Sequence, residues 1–383
     1  MVESRWLRWI GPGVAVLGAV GFIASTTLGA GVRPWVPRAC PGPLLARVVA
    51  ATTPTTMAGV RGAPWFRLDP VLDGTDALAG QRLTVGLDGD PVARGRDLAA
   101  ESFAAGPFGQ VVLTGSDDGS VSRLEAVDVA SGCSWSIGTD RSVIRRATID
   151  PTGAGIYEMR VDRATRADLG VWLRPIAGGP AHQVLAAPAQ DGRFGRTFST
   201  EFTWDLAGDR LAVQSCGEAA CRIRVLDPRG GPTVSVDAPD LGLLVGFDGD
   251  RVVTYGACRG LPCPIVSVDI RTGDRRVLAP AAGPAVVVPT PDGPQLVHEV
   301  ALASGRGLRS VATDTGRAAD LGAIPDGFRL HASITTNDAA TRLPDGWVLL
   351  APDGRLPADG RTDQLRLRRI PDGVTVPLDE AMR

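Results

Sequence analysis

The feature that most constrains this chain is a strand–turn–strand unit that recurs six times. Each unit is a short apolar or alternating strand, a turn with glycine, and a second strand: "LEAVDVASGCSWSIG", "VWLRPIAGGPAHQVL", "RIRVLDPRGGPTVSV", "PIVSVDIRTGDRRVL", "GLRSVATDTGRAADLG" and "QLRLRRIPDGVTVPL". The turn glycines are separated by 47, 52, 42, 43 and 57 residues: Gly132, Gly179, Gly231, Gly273, Gly316 and Gly373. A strand-based period of about 45 residues predicts β-propeller blades, because each blade is a four-stranded sheet.

A second element recurs ahead of each unit, with Asp-Gly or a close variant between two short strands. It appears as "TIDPTGAGIYEMRV", "TWDLAGDRLAVQS", "VGFDGDRVVTYG", "PTPDGPQLVHEV" and "RLPDGWVLLAP". Asp-Gly suits a tight hairpin, because glycine accepts positive φ and aspartate bonds its own backbone. The hairpin-like stretch Trp65–Leu87 either completes a seventh blade or clasps the first and last blades together. The sequence therefore predicts an all-β propeller of six or seven four-stranded blades, with seven slightly favoured.

The "PDG" turn before an apolar strand, followed by "VDIRTG", resembles the repeat of TolB-like β-propellers. The resemblance covers residues from about 100 to 379. It implies a propeller fold and leaves the function open, because propellers of this kind have many roles. In "TWDLAG", the Trp204-Asp205 pair precedes a second strand, so we interpret Trp204 as core packing and Asp205 as a turn residue rather than a WD-repeat signature.

The N-terminus contains an uncharged stretch of 21 residues, Ile10–Ala30. A helix of that length matches a bilayer hydrocarbon core of about 30 Å. Trp6, Trp9 and Trp35 flank the stretch, as interfacial aromatic residues often do. We therefore predict one transmembrane signal anchor, with a cleaved signal peptide ending near "TLG" at 27–29 as the alternative. Cys40 follows "PRA", which has Arg38 where a lipoprotein signal needs a small residue, so lipidation of Cys40 is not predicted.

These features divide the chain into four predicted parts. Residues 1–9 form a cytoplasmic tip, 10–30 the transmembrane anchor, 31–63 a stalk rich in Pro, Ala and Thr, and 64–383 the propeller. All 40 basic residues are arginine, and the chain is rich in Ala, Gly, Pro and Val. Because this usage is typical of high-GC bacteria, the predicted location is a bacterial cell membrane with the propeller on the extracytoplasmic side.

Six cysteines are present, and four of them form two C-x4-C pairs 42 residues apart. In the repeat register, Cys216 and Cys221, and likewise Cys258 and Cys263, flank the turn between the second and third strands of a blade. Residues that flank a hairpin turn have Cβ atoms about 4.5–5.5 Å apart, so we predict disulfides Cys216–Cys221 and Cys258–Cys263. Zinc binding is disfavoured, because this gap is at the edge of the usual pattern and the pairs belong to different blades. Cys40 and Cys133 either bond to each other or make intermolecular bonds.

Candidate catalytic and metal-binding groups are few. The three histidines are His182, His298 and His331, and "HEVAL" at His298 lacks the second histidine of a zinc-protease helix. The acidic pairs Asp117-Asp118 and Asp88-Asp90 have oxygen ligands that Ca²⁺ could use, but the remaining carboxylates of a calcium loop are missing. The sequence thus predicts no catalytic residue, no cofactor site and no metal site. A metal site assembled from several blades stays open.

The net charge of −2 offers no general attraction for nucleic acid, and "RLRRI" at 366–370 is predicted to be a solvated strand face. We expect a non-catalytic binding or scaffold module whose loop face engages a protein or glycan partner. The predicted binding face consists of the second-to-third strand turns with the inter-blade connections. The alternatives are a propeller hydrolase or lactonase with a central metal, and a cleaved, secreted sensor or lectin.

Overall fold

The computed structural model describes residues 32–44 and 64–377, apart from 36–37, 88–92, 188–198, 205–209, 217–220, 333–345, 355–363 and several gaps of one or two residues. The predicted tip and anchor (1–30), most of the predicted stalk (45–63), and Asp88, Asp90 and Asp205 lie outside the described residues. Within the described ranges, no helix is long and apolar enough to cross a membrane. The regular structure there is β-strand, as the repeat predicts.

The described strands form seven sheets. Sheet 1 contains β3 (Pro64–Leu72), β4 (Leu78–Leu87), β5 (Ala93–Leu98) and the N-terminal strand β1 (Val32–Pro34). Sheet 2 contains β6 (Phe103–Phe108), β7 (Val111–Asp117), β8 (Ser122–Asp128), β9 (Cys133–Asp140) and, at its outer edge, β2 (Arg38–Ala39). Sheet 3 contains β10 (Val143–Ile149), β11 (Gly155–Val161), β12 (Asp168–Pro175) and β13 (His182–Leu185).

The remaining four sheets are antiparallel meanders of four consecutive strands. Sheet 4 contains β14 (Ser199–Trp204), β15 (Leu211–Cys216), β16 (Cys221–Leu226) and β17 (Val234–Ala238). Sheet 5 contains β18 (Leu241–Asp248), β19 (Arg251–Gly256), β20 (Cys263–Asp269) and β21 (Arg275–Ala282). Sheet 6 contains β22 (Ala285–Val288), β23 (Gln295–Leu302), β24 (Gly305–Ala312) and β25 (Ala318–Ala323). Sheet 7 contains β26 (Phe328–Leu330), β27 (Trp347–Pro352), β28 (Arg366–Arg369) and β29 (Thr375–Pro377).

The six repeated units of the sequence are the hairpins between the third and fourth strands of sheets 2 to 7. Gly132 and Gly273 show why glycine recurs there. Their φ angles are 70° and 76°, in the left-handed region that side chains with a Cβ rarely adopt. Each donates its N–H to an aspartate carbonyl four residues back, at 2.8 Å for Asp128 and 2.9 Å for Asp269. The turn glycine therefore closes the hairpin and sets the repeat.

Aliphatic layers pack consecutive sheets against each other. Between sheets 2 and 3 the layer includes Leu113 and Ile156, and between sheets 5 and 6 it includes Val253 and Leu296. Comparable layers join sheets 1 and 2, 3 and 4, 4 and 5, and 6 and 7. The first strands of successive sheets also meet, as β3 meets β6 and β18 meets β22. Sheets stacked in chain order, with first strands adjacent, fit a β-propeller.

The stretch Trp65–Leu87 forms most of β3 and β4, so it contributes to a sheet of its own. Trp204 ends β14 and packs in the core as predicted, with its ring centroid 5.7 Å from that of Tyr157. Its Nε1 donates to the Thr148 hydroxyl at 3.1 Å.

The described residues of 32–44, within the segment predicted as a stalk, form a strap across the outer edges of sheets 1 and 2. Strand β1 pairs in parallel with β5, and β2 pairs in parallel with β9. Between them, Trp35 is only 6% exposed, donates its Nε1–H to the Gly132 carbonyl at 2.6 Å and lies 4.4 Å from the Arg96 guanidinium. Burial of this indole explains why the segment joins the sheets.

The prediction of a solvated face at 366–370 is wrong for Arg368, which is 5% exposed. Its guanidinium donates to the carbonyl oxygens of Leu321, Gly322 and Ala323, at 2.9, 3.2 and 2.7 Å. Burial lowers the pKa of this guanidinium. Arg368 thus fastens sheet 7 to the outer strand of sheet 6, a role that backbone carbonyls can satisfy without an acidic partner.

Candidate binding face

Turns between second and third strands define one edge of the sheets, and we call this edge, with the connections between sheets, the loop face. Two of these turns carry disulfides. Cys216 ends β15 and Cys221 begins β16, so the two residues pair directly, with a Cα–Cα distance of 4.0 Å. Cys258 lies beyond the end of β19 and Cys263 begins β20, with a Cα–Cα distance of 5.9 Å. The Cys258–Cys263 pair is therefore the more widely spaced of the two.

Two leucines stand out from this face. Leu261, inside the Cys258–Cys263 turn, is 52% exposed, and Leu302, at the same turn of sheet 6, is 37% exposed. The Leu261–Pro262 peptide bond is cis. By comparison, Val374 is 43% exposed but lies on a third-to-fourth turn, at the opposite edge of the sheets. The loop face thus presents aliphatic side chains from two neighbouring sheets.

The carboxylates of Asp117 and Asp118 are occupied by the turn that contains them. Asp118 Oδ1 accepts the backbone N–H groups of Ser120 and Val121, at 2.9 and 2.8 Å. The Arg163 guanidinium donates to both carboxylate oxygens of Asp117, at 2.6 and 2.7 Å, and this ion pair lowers the pKa of the carboxyl. Asp118 also has a lowered pKa, chiefly because the Ser120 hydroxyl bonds to it. These groups order a turn and join sheets 2 and 3.

A buried ionic network lies next to this turn, between sheets 2 and 3. Glu158 on β11 is fully buried, and its carboxylate accepts hydrogen bonds from Arg160 and Arg174. Arg160 also donates to Asp140 at the end of β9, and Arg174 donates to the Gly179 carbonyl at 2.7 Å. The guanidinium groups of Arg160 and Arg174 thus contact the Glu158 carboxylate, and the Asp140 carboxylate brings the net charge of the network to zero. No local sequence pattern predicts this network, because its members come from three strands and a turn.

The histidines do not converge on one site in the structure. His182 is exposed at the start of β13. His298 is 2% exposed on β23, and burial lowers its pKa. His331, just after β26, also has a pKa lowered by burial, and its Nδ1 lies 3.0 Å from the Gly354 carbonyl. In the described part of the chain, no three His, Cys, Asp or Glu residues are arranged to hold a metal ion.

The third disulfide, Cys40–Cys133, lies on the strap rather than on the loop face. A cleft of about 390 Å³ opens over it, lined by Arg38, Ala39, Cys40, Pro41, Ser131, Cys133 and Trp135. The Ser131 hydroxyl donates to Cys133 Sγ at 3.0 Å, and the Trp135 indole donates to the Gly42 carbonyl at 2.8 Å. With this pair, the structure contains three disulfides and leaves none of the six cysteines free.

Comparison with known proteins shows similarity only to solved structures. No family model matches the chain, and no curated protein sequence matches it. TolB from Acinetobacter baumannii is 12% identical with a TM-score of 0.41, over 67% of this chain and 62% of TolB. Oligopeptidase B from Leishmania major is 11% identical with a TM-score of 0.49, over 87% of this chain and 51% of that enzyme. A putative 6-phosphogluconolactonase from Bacteroides fragilis is 13% identical with a TM-score of 0.45, over 84% and 95% of the two chains.

The chain thus spans less than two thirds of the length of TolB and of oligopeptidase B. The three structures have different names and functions, and at these identities and TM-scores they assign no function to this chain. The fold description rests on the sheet order and the aliphatic layers between consecutive sheets.

Proposed function

We propose that this chain is a seven-bladed propeller of the bacterial cell envelope, held by a membrane anchor at 10–30. The seven sheets are its blades, and the propeller lies on the extracytoplasmic side of the membrane. Support for the compartment comes from the disulfides, since such bonds persist in oxidising surroundings and are rare in the cytosol. Three disulfides that use all six cysteines fit that environment.

The propeller acts as a non-catalytic binding module, and its loop face is the surface that engages the partner. The observation that carries this proposal is Leu261, a leucine 52% exposed inside a disulfide-closed turn. A disulfide restricts the turn before binding, so less conformational entropy is lost when a partner covers the leucine. Leu302, at the same edge of the next sheet, is a second exposed leucine of the loop face.

The partner that best fits this surface is a protein. Burial of a leucine side chain contributes about 1.5–3 kcal/mol when an apolar partner surface covers it. Sugar rings, in contrast, pack best on flat aromatic side chains. The large hydrophobic residues that stand exposed in the described ranges are leucines and valines, namely Leu243, Leu261, Val277, Leu302 and Val374.

Substitution of Leu261 by aspartate tests the proposal. Because the charge would have to be desolvated at the interface, we expect Leu261→Asp to weaken partner binding by about 2 kcal/mol, or about thirtyfold. The measurement is quantitative crosslinking and affinity capture of the tagged full chain from its native membrane. Val374→Asp is the matched control, because it places the same charge on a comparably exposed side chain at the opposite edge.

Equal capture of every partner by the Leu261→Asp variant and the parent would contradict the proposal. If the tagged chain captures only glycans, the partner is a carbohydrate and not the proposed protein. A tightly held, stoichiometric Ca²⁺ or Zn²⁺ in the purified protein would favour the metal-dependent hydrolase or lactonase instead.

A further inference from the structure

We propose that the Cys40–Cys133 disulfide is a thiol–disulfide exchange site, at which a dithiol of a redox partner attacks Cys40 and Cys133 is the leaving group. Exchange opens a latch formed by residues 38–43, which covers the outer edge of β9 and ends at the buried Leu44. This inference does not depend on the loop face or on its partner.

Access to the disulfide is one-sided. The cleft of about 390 Å³ is lined by both cysteines, yet Cys133 is only 5% exposed while Cys40 is half-buried. A thiolate attacks a disulfide sulfur along the S–S axis, from the side opposite the sulfur that leaves. Cys40 is therefore the more exposed of the two cysteines that line the cleft, and attack there makes Cys133 the leaving group.

The leaving group has a preformed partner. Ser131 Oγ donates a hydrogen bond to Cys133 Sγ at 3.0 Å and accepts the Cys133 N–H at 3.3 Å. The Asp128 carboxylate holds this turn by accepting the Ser131 N–H at 2.8 Å. When the S–S bond breaks, Cys133 becomes a thiolate, and the hydroxyl–sulfur bond becomes charge-assisted and stronger. Ser131 is thus a positioning residue that favours departure of Cys133 over departure of Cys40.

The exchange balances as a two-electron transfer. A thiolate of the partner dithiol bonds to Cys40 Sγ, the Cys40–Cys133 bond breaks, and Cys133 leaves as a thiolate that takes a proton from water. The second partner thiol loses its proton to water, and the resulting thiolate attacks the partner's sulfur in the mixed disulfide. Cys40 is released as a thiolate and takes a proton from water. The partner dithiol is oxidised to a disulfide, and the two cysteines of this chain are reduced.

The structural consequence is confined to the latch. Strand β2 has two residues and pairs with β9 only at Cys133 and Ser134. Besides the disulfide, the latch is held by the Cys40 N–H on the Ser134 carbonyl at 3.0 Å and by Trp135 on Gly42. At its end, Leu44 is 4% exposed and packs in the layer between sheets 2 and 3. Trp35 and β1 have their own contacts with sheets 1 and 2, so they stay in place. Reduction therefore lets β2 separate from β9 between Trp35 and Leu44, which stay packed, and the edge of β9 becomes open to strand addition.

Regioselectivity of exchange tests the proposal. The purified full chain is incubated with reduced glutathione at neutral pH, quenched with acid, alkylated, and mapped by peptide mass spectrometry. We expect glutathione on Cys40 and the alkylating agent on Cys133. Glutathione on Cys133, or a Cys40–Cys133 bond that opens no faster than the whole protein unfolds, would overturn the proposal.

The role of Ser131 is tested by rate. Ser131→Ala is expected to open Cys40–Cys133 about tenfold more slowly, because the thiolate loses a hydrogen bond. Ser131→Thr keeps the hydroxyl and is expected to restore the parental rate, which a purely structural role of the turn would not require. The Cys258–Cys263 bond in the same samples is the internal control, and its rate should not change. An unchanged rate of Cys40–Cys133 opening in Ser131→Ala would overturn the assignment.

Discussion

His298 is a buried group whose ionisation is coupled to folding. By strand alternation it shares a face of β23 with Leu296, which packs against sheet 5. Its Nδ1 lies 3.1 Å from the Glu299 carbonyl, and its Nε2 has no hydrogen-bond partner among the described residues. Burial lowers the pKa of His298, and the nearby Arg309 lowers it further. Burial therefore favours the neutral imidazole in the folded protein.

We predict that stability falls as the pH drops below about 6.5, the usual histidine pKa. There the unfolded chain binds protons that the folded chain excludes at His298 and His331, so acid favours unfolding. The stability that the two neutral histidines contribute is fully present above the unfolded-state pKa. It is lost as the pH falls towards their lower pKa in the folded state. Melting temperatures between pH 8 and pH 5 measure it.

The variant His298→Asn keeps a donor for the Glu299 carbonyl but does not titrate. We expect it to flatten the acid slope, and the double variant with His331→Asn to flatten it further. The same slope in parent and double variant would refute the assignment.

At the scale of elements, the six hairpins could be predicted from the sequence, because glycine spacing and Asp-Gly turns are local signals. The strap could not. Strands β1 and β2 have three and two residues, too few to show a period, and their partners are β5 and β9, far along the chain. The same limit applies to Arg368 and Glu158, whose charge suggests solvent exposure and whose buried partners lie on other elements.

The ionic network around Glu158 joins β11 to β12 and to the end of sheet 2. We predict that Glu158→Gln lowers the free energy of unfolding by about 3 kcal/mol, because it leaves two buried guanidinium groups facing one carboxylate fewer. Urea titration of the purified protein measures this loss. The control is Asp97→Asn, which removes the partner of Arg82 in an exposed pair and should cost less than about 1 kcal/mol. Equal effects of the two substitutions would mean that Glu158 contributes no more than a surface pair.

At the scale of the molecule, the strap brings the predicted anchor close to the propeller. The anchor is predicted to end at Ala30, and β1 begins at Val32 on the outer edge of sheet 1. A chain spans at most about 3.6 Å per residue, so this edge would lie near the membrane surface rather than at the end of a long stalk. The proposed anchor and the strap therefore have separable contributions, one to location and one to stability.

Two truncations separate these contributions. In the first variant, residues 1–31 are replaced by an unrelated cleavable signal peptide that directs export. We expect this variant to move from the membrane fraction to the soluble periplasmic or extracellular fraction. Its melting temperature should equal that of the full chain, because every strand from β1 onward remains. Removal of residues 1–44 also removes Trp35 and Cys40, and loss of a buried indole costs about 3–5 kcal/mol, so this variant should melt at a lower temperature. If the variant without residues 1–31 stays in the membrane, the predicted anchor is contradicted. If both variants melt at the same temperature, the stabilising role of the strap is contradicted.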